Sequence, residues 1–198
     1  GRQLVLQPNL PMLYGLYDTG GYDSVILERY ARYVETIEPQ RALWSNQIVG
    51  FEDPDSLDSP LLPLLNISYL LADSRTTLDH PDWELVFTEG ANVYRTRREH
   101  PRAFMVHQVE TAGSFEEAIE RLDGGRLDTR RSAVVVDPPA GLSVLPAEAP
   151  PEPGRVSVAR YAHTGVEMTS SSAAAGVVVP CDMIYPGWRA YVDGRPAD

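Results

Sequence analysis

The sequence predicts an α+β fold, a mixed α/β first half followed by a mostly antiparallel, β-sandwich-like C-terminal part. Three observations predict it. Two stretches of the first half repeat apolar residues at helical spacing between strand-like runs. A passage with six prolines (Pro138, Pro139, Pro146, Pro150, Pro151 and Pro153) then interrupts the pattern. Beyond it, short alternating runs follow one another between closely spaced turn signals. The expected organisation is an α+β subdomain at 1–137, a Pro/Ala-rich linker or crossing at 138–153, and a β-rich subdomain at 154–198 cut short at its C-terminal end.

The elements follow in chain order. Leu4, Val5 and Leu6 already read as a strand, so the chain reads as a piece of a longer protein. A loop rich in tyrosine and glycine leads to Asp23 or Ser24 as a helix cap. Ile26, Tyr30, Tyr33, Val34 and Ile37 then recur at helical spacing, and the helix is expected to stop before Pro39. Ser59 and Pro60 make a cap and first-turn pair for a short helix through Leu65, and Ile67 to Leu71 reads as a buried strand. Trp83, Leu85 and Phe87 alternate and, with Val93 to Thr96, predict a hairpin. A strand at Ala103 to Val109 precedes Ser114 and Glu117, a capping box for a helix containing Ala118, Ile119 and Leu122. Ser132 to Val136 returns as a strand. Past the prolines, strands are expected at Val156 to Tyr161, Gly165 to Thr169, Gly176 to Val179, near Ile184, and at Trp188 to Val192.

Composition narrows the function. The formal net charge is -11 and the pI about 4.8, so the summed field repels phosphate backbones and nucleic acid is excluded as a partner. The longest apolar stretches, Leu61 to Leu65 and Ile67 to Ala72, are broken by Pro63, Asn66 and Ser68 and are too short for a membrane helix. The chain therefore reads as soluble. Cys181 is the sole cysteine and is expected to be a small buried hydrophobe in a strand.

Residues that carry chemistry are scattered. His80, His100, His107 and His163 have no spacing that would set two on one helix face or one turn, so no metal site is expected. His107, near Glu110, reads as exposed or locally paired. Asp182 and Asp193 flank the last hairpin and Asp18 and Asp23 flank the glycine-rich loop, but as turn and cap residues. Gly20 and Gly21 lack the third glycine of a dinucleotide loop, and there is no nucleophile elbow. No catalytic residue and no cofactor is assigned. Tyr14, Tyr17, Tyr22, Tyr185 and Trp188 lie in or near Gly/Pro turns and are the candidate sugar-stacking residues. For Trp188, at the head of a strand whose Ala190 and Val192 share its face, the competing expectation is a buried core ring.

Several segments together resemble one family. These are Gly21-Tyr22-Asp23 with Arg29-Tyr30 and Tyr33, then Leu65-Asn66-Ile67-Ser68-Tyr69-Leu70-Leu71, Val93-Tyr94, Pro101-Arg102-Ala103-Phe104, and Tyr185-Pro186-Gly187-Trp188-Arg189-Ala190-Tyr191-Val192-Asp193-Gly194. In this order they are similar to the YfhO-like bacterial multi-span membrane proteins, which resemble integral-membrane glycosyltransferases. The resemblance implies that membrane helices carry transfer from a lipid-linked sugar, with the acidic catalytic residue in an external loop that this chain does not contain. The segment present resembles the soluble domain near the C-terminus, on the outer face of the membrane. Such proteins continue past this point with a return strand and a last membrane helix.

The reading that follows is a non-catalytic extracytoplasmic accessory domain of a membrane glycosyltransferase-like protein, assisting recognition of a glycan or cell-envelope polymer. Its partners would be the membrane portion of the parent protein and that polymer. Two alternatives stand beside it, a free-standing carbohydrate-binding β-sandwich module and a glycoside hydrolase using an acidic pair. Asp193-Gly194 is a strong two-residue hairpin signal. With only Arg195, Pro196, Ala197 and Asp198 after it, the strand from Trp188 is expected to lack its full partner and to form a weak homodimer through that edge.

Overall fold

The computed structural model describes residues 6–139, 142, 150, 152–162 and 164–197. Leu4, Val5, His163 and most of the 138–153 passage lie outside the described residues. The class is α+β, with two α-helices and predominantly antiparallel strands among the described residues. By contact density the chain forms two compact units, Gly1–His100 and Pro101–Asp198, and the proline-rich passage falls inside the second.

The first unit opens on a 3-10 turn, Leu10–Tyr14, with Asn9 and Gly15 both left-handed at its ends. Strand β1, Gly21–Tyr22, pairs antiparallel with β2, Gln47–Ile48. Helix α1 spans Glu28–Ile37. Neither Asp23 nor Ser24 caps it. The Asp23 carboxylate accepts from the Val25 N–H at 3.1 Å instead, a local turn that delays the helix until after Leu27, which has no capping side chain. The helix end agrees with the expectation, because a residue before proline is pushed out of helical conformation. Val34 and Ile37 form its buried face, and the Tyr33 hydroxyl donates to the Leu61 carbonyl at 2.8 Å. A 3-10 turn, Pro54–Asp58, precedes Ser59, and another, Leu62–Leu65, stands where a short helix was expected from Ser59 through Leu65. Prolines at 60 and 63 leave too few donors for an α-helix.

Strands β3 (Tyr69–Asp73), β4 (Trp83–Phe87) and β5 (Ala91–Thr96) form an antiparallel sheet in the order β3-β5-β4. The β4-β5 hairpin is the predicted one, with a bulge between Leu85 and Phe87. Register puts Leu70, Tyr94 and Leu85 on one face, beside Trp83 and Thr96. Trp83, Tyr94 and Thr96 are buried on that face, whereas Leu85 is exposed. Tyr94 is 1% exposed, and its hydroxyl accepts from the Leu78 N–H and donates to the Thr76 carbonyl. The expected buried strand at Ile67 to Leu71 is an edge strand, with Tyr69 and Leu71 on its uncovered face.

The second unit begins with β6 (Ala103–Val106) and β7 (Gln108–Ala112), one expected strand broken at His107. Helix α2 (Phe115–Asp123) and strand β8 (Ser132–Val136) follow, and β8 runs parallel to β7, making a strand–helix–strand crossover. Ser114 caps α2 as predicted, its hydroxyl accepting from the Glu117 N–H at 3.1 Å. The return bond of the box goes one residue earlier, from the Gly113 N–H to Glu117 at 2.8 Å. Strands β9 (Arg155–Ala162) and β10 (Gly165–Ser171) form a hairpin with a bulge between Glu167 and Met168. Strand β11 (Val177–Pro180) returns to pair antiparallel with β6, and β12 (Ala190–Val192) pairs with β13 (Arg195–Ala197).

Two expectations at this end are corrected. Trp188 is 44% exposed, so it is not a core residue, and it precedes β12 instead of heading it. It closes a turn in which Pro186 presets φ, Gly187 takes φ 101° and the Trp188 N–H reaches the Tyr185 carbonyl at 3.2 Å. The expected missing hairpin arm is present. Asp193 (φ 50°) and Gly194 (φ 75°) make the two-residue turn, and Ala190, Tyr191 and Val192 face Ala197, Pro196 and Arg195. Among the described residues, no helix is long and apolar enough to cross a membrane.

Candidate functional site

In the first unit, Asn9 organises the candidate aromatic surface. Its left-handed backbone starts the 3-10 turn, while its side chain clasps β1, accepting from the Tyr22 N–H at 2.9 Å and donating to the Tyr22 carbonyl at 2.7 Å. Two backbone groups of Tyr22 are thereby fixed, leaving its ring outward. The Asp23 N–H continues the clasp to the Asn46 carbonyl. The segment held this way is Leu10–Tyr17, which carries no charged residue. Met12, Leu13, Tyr14, Leu16 and Tyr17 are all well exposed there, Tyr14 and Tyr17 by about three quarters of their surface, and Tyr22 is 55% exposed. Burial would ordinarily claim such residues.

Trp44, in the short turn leading into β2, is 88% exposed and was not singled out from sequence. Its signal was the Ser45-Asn46 pair, a turn that ends in left-handed Asn46 and so holds the preceding ring away from a strand face. Tyr185 and Trp188, each 44% exposed, lie in the second unit. The candidate stacking residues thus form two groups, one in each unit.

The second unit holds a polar cluster that the sequence did not bring together. The Arg102 guanidinium lies 4.6 Å from the Tyr161 ring centre and donates to the Tyr161 hydroxyl, which donates in turn to Asp182 at 2.7 Å. Arg102 and Asp182 are 3.7 Å apart. Burial and the bond to Asp182 raise the Tyr161 hydroxyl above its ordinary range, with Arg102 opposing, so it stays protonated. Beside it, Cys181 follows β11, its N–H donating to the Arg102 carbonyl at 2.8 Å. It lies just past the strand and is only partly buried, where a buried strand residue was expected, and burial pushes its thiol up to about 11. A thiol held protonated is a poor nucleophile. The Pro101-Arg102-Ala103 motif therefore acts as a brace: Arg102 uses both its carbonyl and its side chain to hold the segment after β11.

His107 and His80 are spent on structure. His107 is buried between β6 and β7, its Nδ1–H donating to the Ala175 carbonyl at 2.8 Å and its Nε2 accepting from the Gly154 N–H at 3.3 Å. It is neither exposed nor paired with Glu110. His80 accepts from the Asp82 N–H and faces Asp58 at 3.2 Å. An open cavity of about 430 Å³ is lined by Glu38, Pro39, Arg41, Glu52, Asp53 and Pro54. The Glu38 carboxylate there receives the N–H groups of Glu52 and Asp53 and the Ser56 hydroxyl, so it closes a loop. Among the described residues, no group of three or more His, Cys, Asp or Glu side chains is arranged to hold a metal ion. No family model, no curated protein and no solved structure matches the chain.

Proposed function

We propose that the chain is a binding domain without a catalytic centre of its own, and that its ligand is a glycan or cell-envelope polymer held by stacking on Tyr14, Tyr17 and Tyr22. The observation that carries this reading is the uncharged, aromatic, outward-facing Leu10–Tyr17 segment clasped to β1 by Asn9. Ring faces with flanking hydroxyls suit the apolar faces and hydroxyl edges of sugars. The acidic net charge favours neutral over polyanionic polymers. With the resemblance to YfhO-like proteins, we place this activity on the extracytoplasmic face of the bacterial membrane. The domain there is an accessory to a membrane glycosyltransferase-like parent and docks on that parent's membrane portion.

Titration with oligosaccharides of glucose, galactose and N-acetylglucosamine, followed by amide and tyrosine NMR shifts, tests the reading. Shifts should cluster at residues 9–22. Tyr14→Ala and Tyr17→Ala should each weaken binding about three- to ten-fold, the equivalent of one ring contact, with the thermal transition unchanged. Binding untouched by both changes, or no shift at millimolar sugar, overturns it.

A further inference from the structure

Among the described residues the β12-β13 hairpin is largely exposed, and its strands are apolar apart from Arg195. Ala190, Tyr191 and Val192 are all exposed, Tyr191 by 58% and Val192 by 63%. Among the described residues, the two strands pair only with each other. A lone two-stranded hairpin is marginal in water, and an open strand edge is a template for another strand.

The two edges are not equivalent. In a hairpin with a two-residue turn, the pair flanking the turn exchanges both hydrogen bonds, which here is Val192 with Arg195. The next pair, Tyr191 with Pro196, then points its backbone groups outward. Pro196 has no N–H, so the β13 edge is blunted at its one outward position while the internal ladder loses nothing. The β12 edge is open: Tyr191 presents both an N–H and a C=O.

We propose that a second copy of this chain occupies the β12 edge, in an antiparallel two-fold ladder centred on Tyr191. Tyr191 of each copy then exchanges both backbone bonds with its mate and sets the two rings side by side. Ala190 lies opposite Val192 of the other copy. Arg189, just before β12, then lies near the turn residue Asp193 of the other copy, twice by symmetry, so opposite charges stand at both ends. Both groups are exposed. Centring on Arg189 would instead oppose two guanidinium groups, which disfavours that register.

Sedimentation equilibrium of the 198-residue chain across a concentration series tests this. A monomer–dimer equilibrium is expected, weakened several-fold by 0.5 M salt, a concentration chosen so that the Debye length shrinks to roughly 4 Å. Arg189→Glu, on the surface, should weaken the dimer at least ten-fold by placing like charges opposite Asp193. Tyr191→Pro removes the outward N–H without touching the internal ladder and should abolish dimerisation, with circular dichroism reporting that the fold is kept. A chain that stays monomeric at millimolar concentration, or a dimer indifferent to Arg189→Glu, overturns the proposal.

Discussion

At the residue scale, side-chain type alone does not say what a group faces. His107 read as exposed or locally paired because, on a strand beside Glu110, that is the commoner state of a lone histidine. Its burial arises from Gly154 and Ala175, 47 and 68 residues away along the chain. Its role is now specific. One ring nitrogen donates, the other accepts, and two backbone groups from separate segments are satisfied by one side chain. Replacing His107 by alanine takes the partner from the Gly154 N–H and the Ala175 C=O, both part-buried, and opens space under β6. A loss of about 1 to 3 kcal/mol is expected, from two lost hydrogen bonds and the space the buried ring vacates. Urea denaturation of the variant measures it, and a loss under about 0.5 kcal/mol, the range of neutral surface changes, would mean that water replaces the ring. Trp188 shows the opposite error. Alternation with Ala190 and Val192 pointed inward, but the Pro186-Gly187 turn sets the strand's start two residues later.

Elements were legible where their signals are local. The Ser114 cap, the β4-β5 hairpin, β8 and the end of α1 all depend on residues within a few positions, and all stand where the pattern put them. The start of α1 was missed because Asp23 has two local options, cap or turn, and the backbone of Tyr22 and Asp23 is already committed to Asn9 and Asn46. Strand pairing beyond local hairpins was not legible: the parallel β7-β8 ladder and the β11-β6 ladder join segments whose periodicity carries no record of partner or direction. The capping box offers a check at this scale. Ser114→Ala should cost about 1 kcal/mol, the usual worth of such a cap. Glu117 adds a pH dependence. The Gly113 N–H and then Arg121 hold its carboxyl below the usual range, so its contribution is full above the unfolded carboxylate range and fades as pH falls below it. The difference between wild type and Glu117→Gln should therefore shrink on acidification; a difference that stays constant down to the lowest pH at which the chain folds would assign the effect to packing.

At the scale of the whole molecule, the α+β class followed from periodicity, whereas the division of the chain depends on which strands pair. Two cuts make different fragments. Cutting within 138–153 separates β6 from β11 and removes Gly154 and Ala175 from His107, so a fragment 1–137 carries an unpaired β6 with Met105 and Val106 stripped of cover. Its complement, 154–198, keeps only two hairpins, below the size at which a core sustains itself. Cutting between His100 and Pro101 leaves the β7-α2-β8 crossover, the β6-β11 ladder, the β9-β10 hairpin and the Arg102-Tyr161-Asp182 brace in one piece. The fragment 101–198 should therefore fold alone, with a cooperative thermal transition and dispersed amide signals, while 154–198 should give neither. Circular dichroism melts and proton spectra of the three fragments decide it. Cooperative melting of 1–137 together with a disordered 101–198 would show that the proline-rich passage, and not the 100/101 junction, is the boundary between folding units.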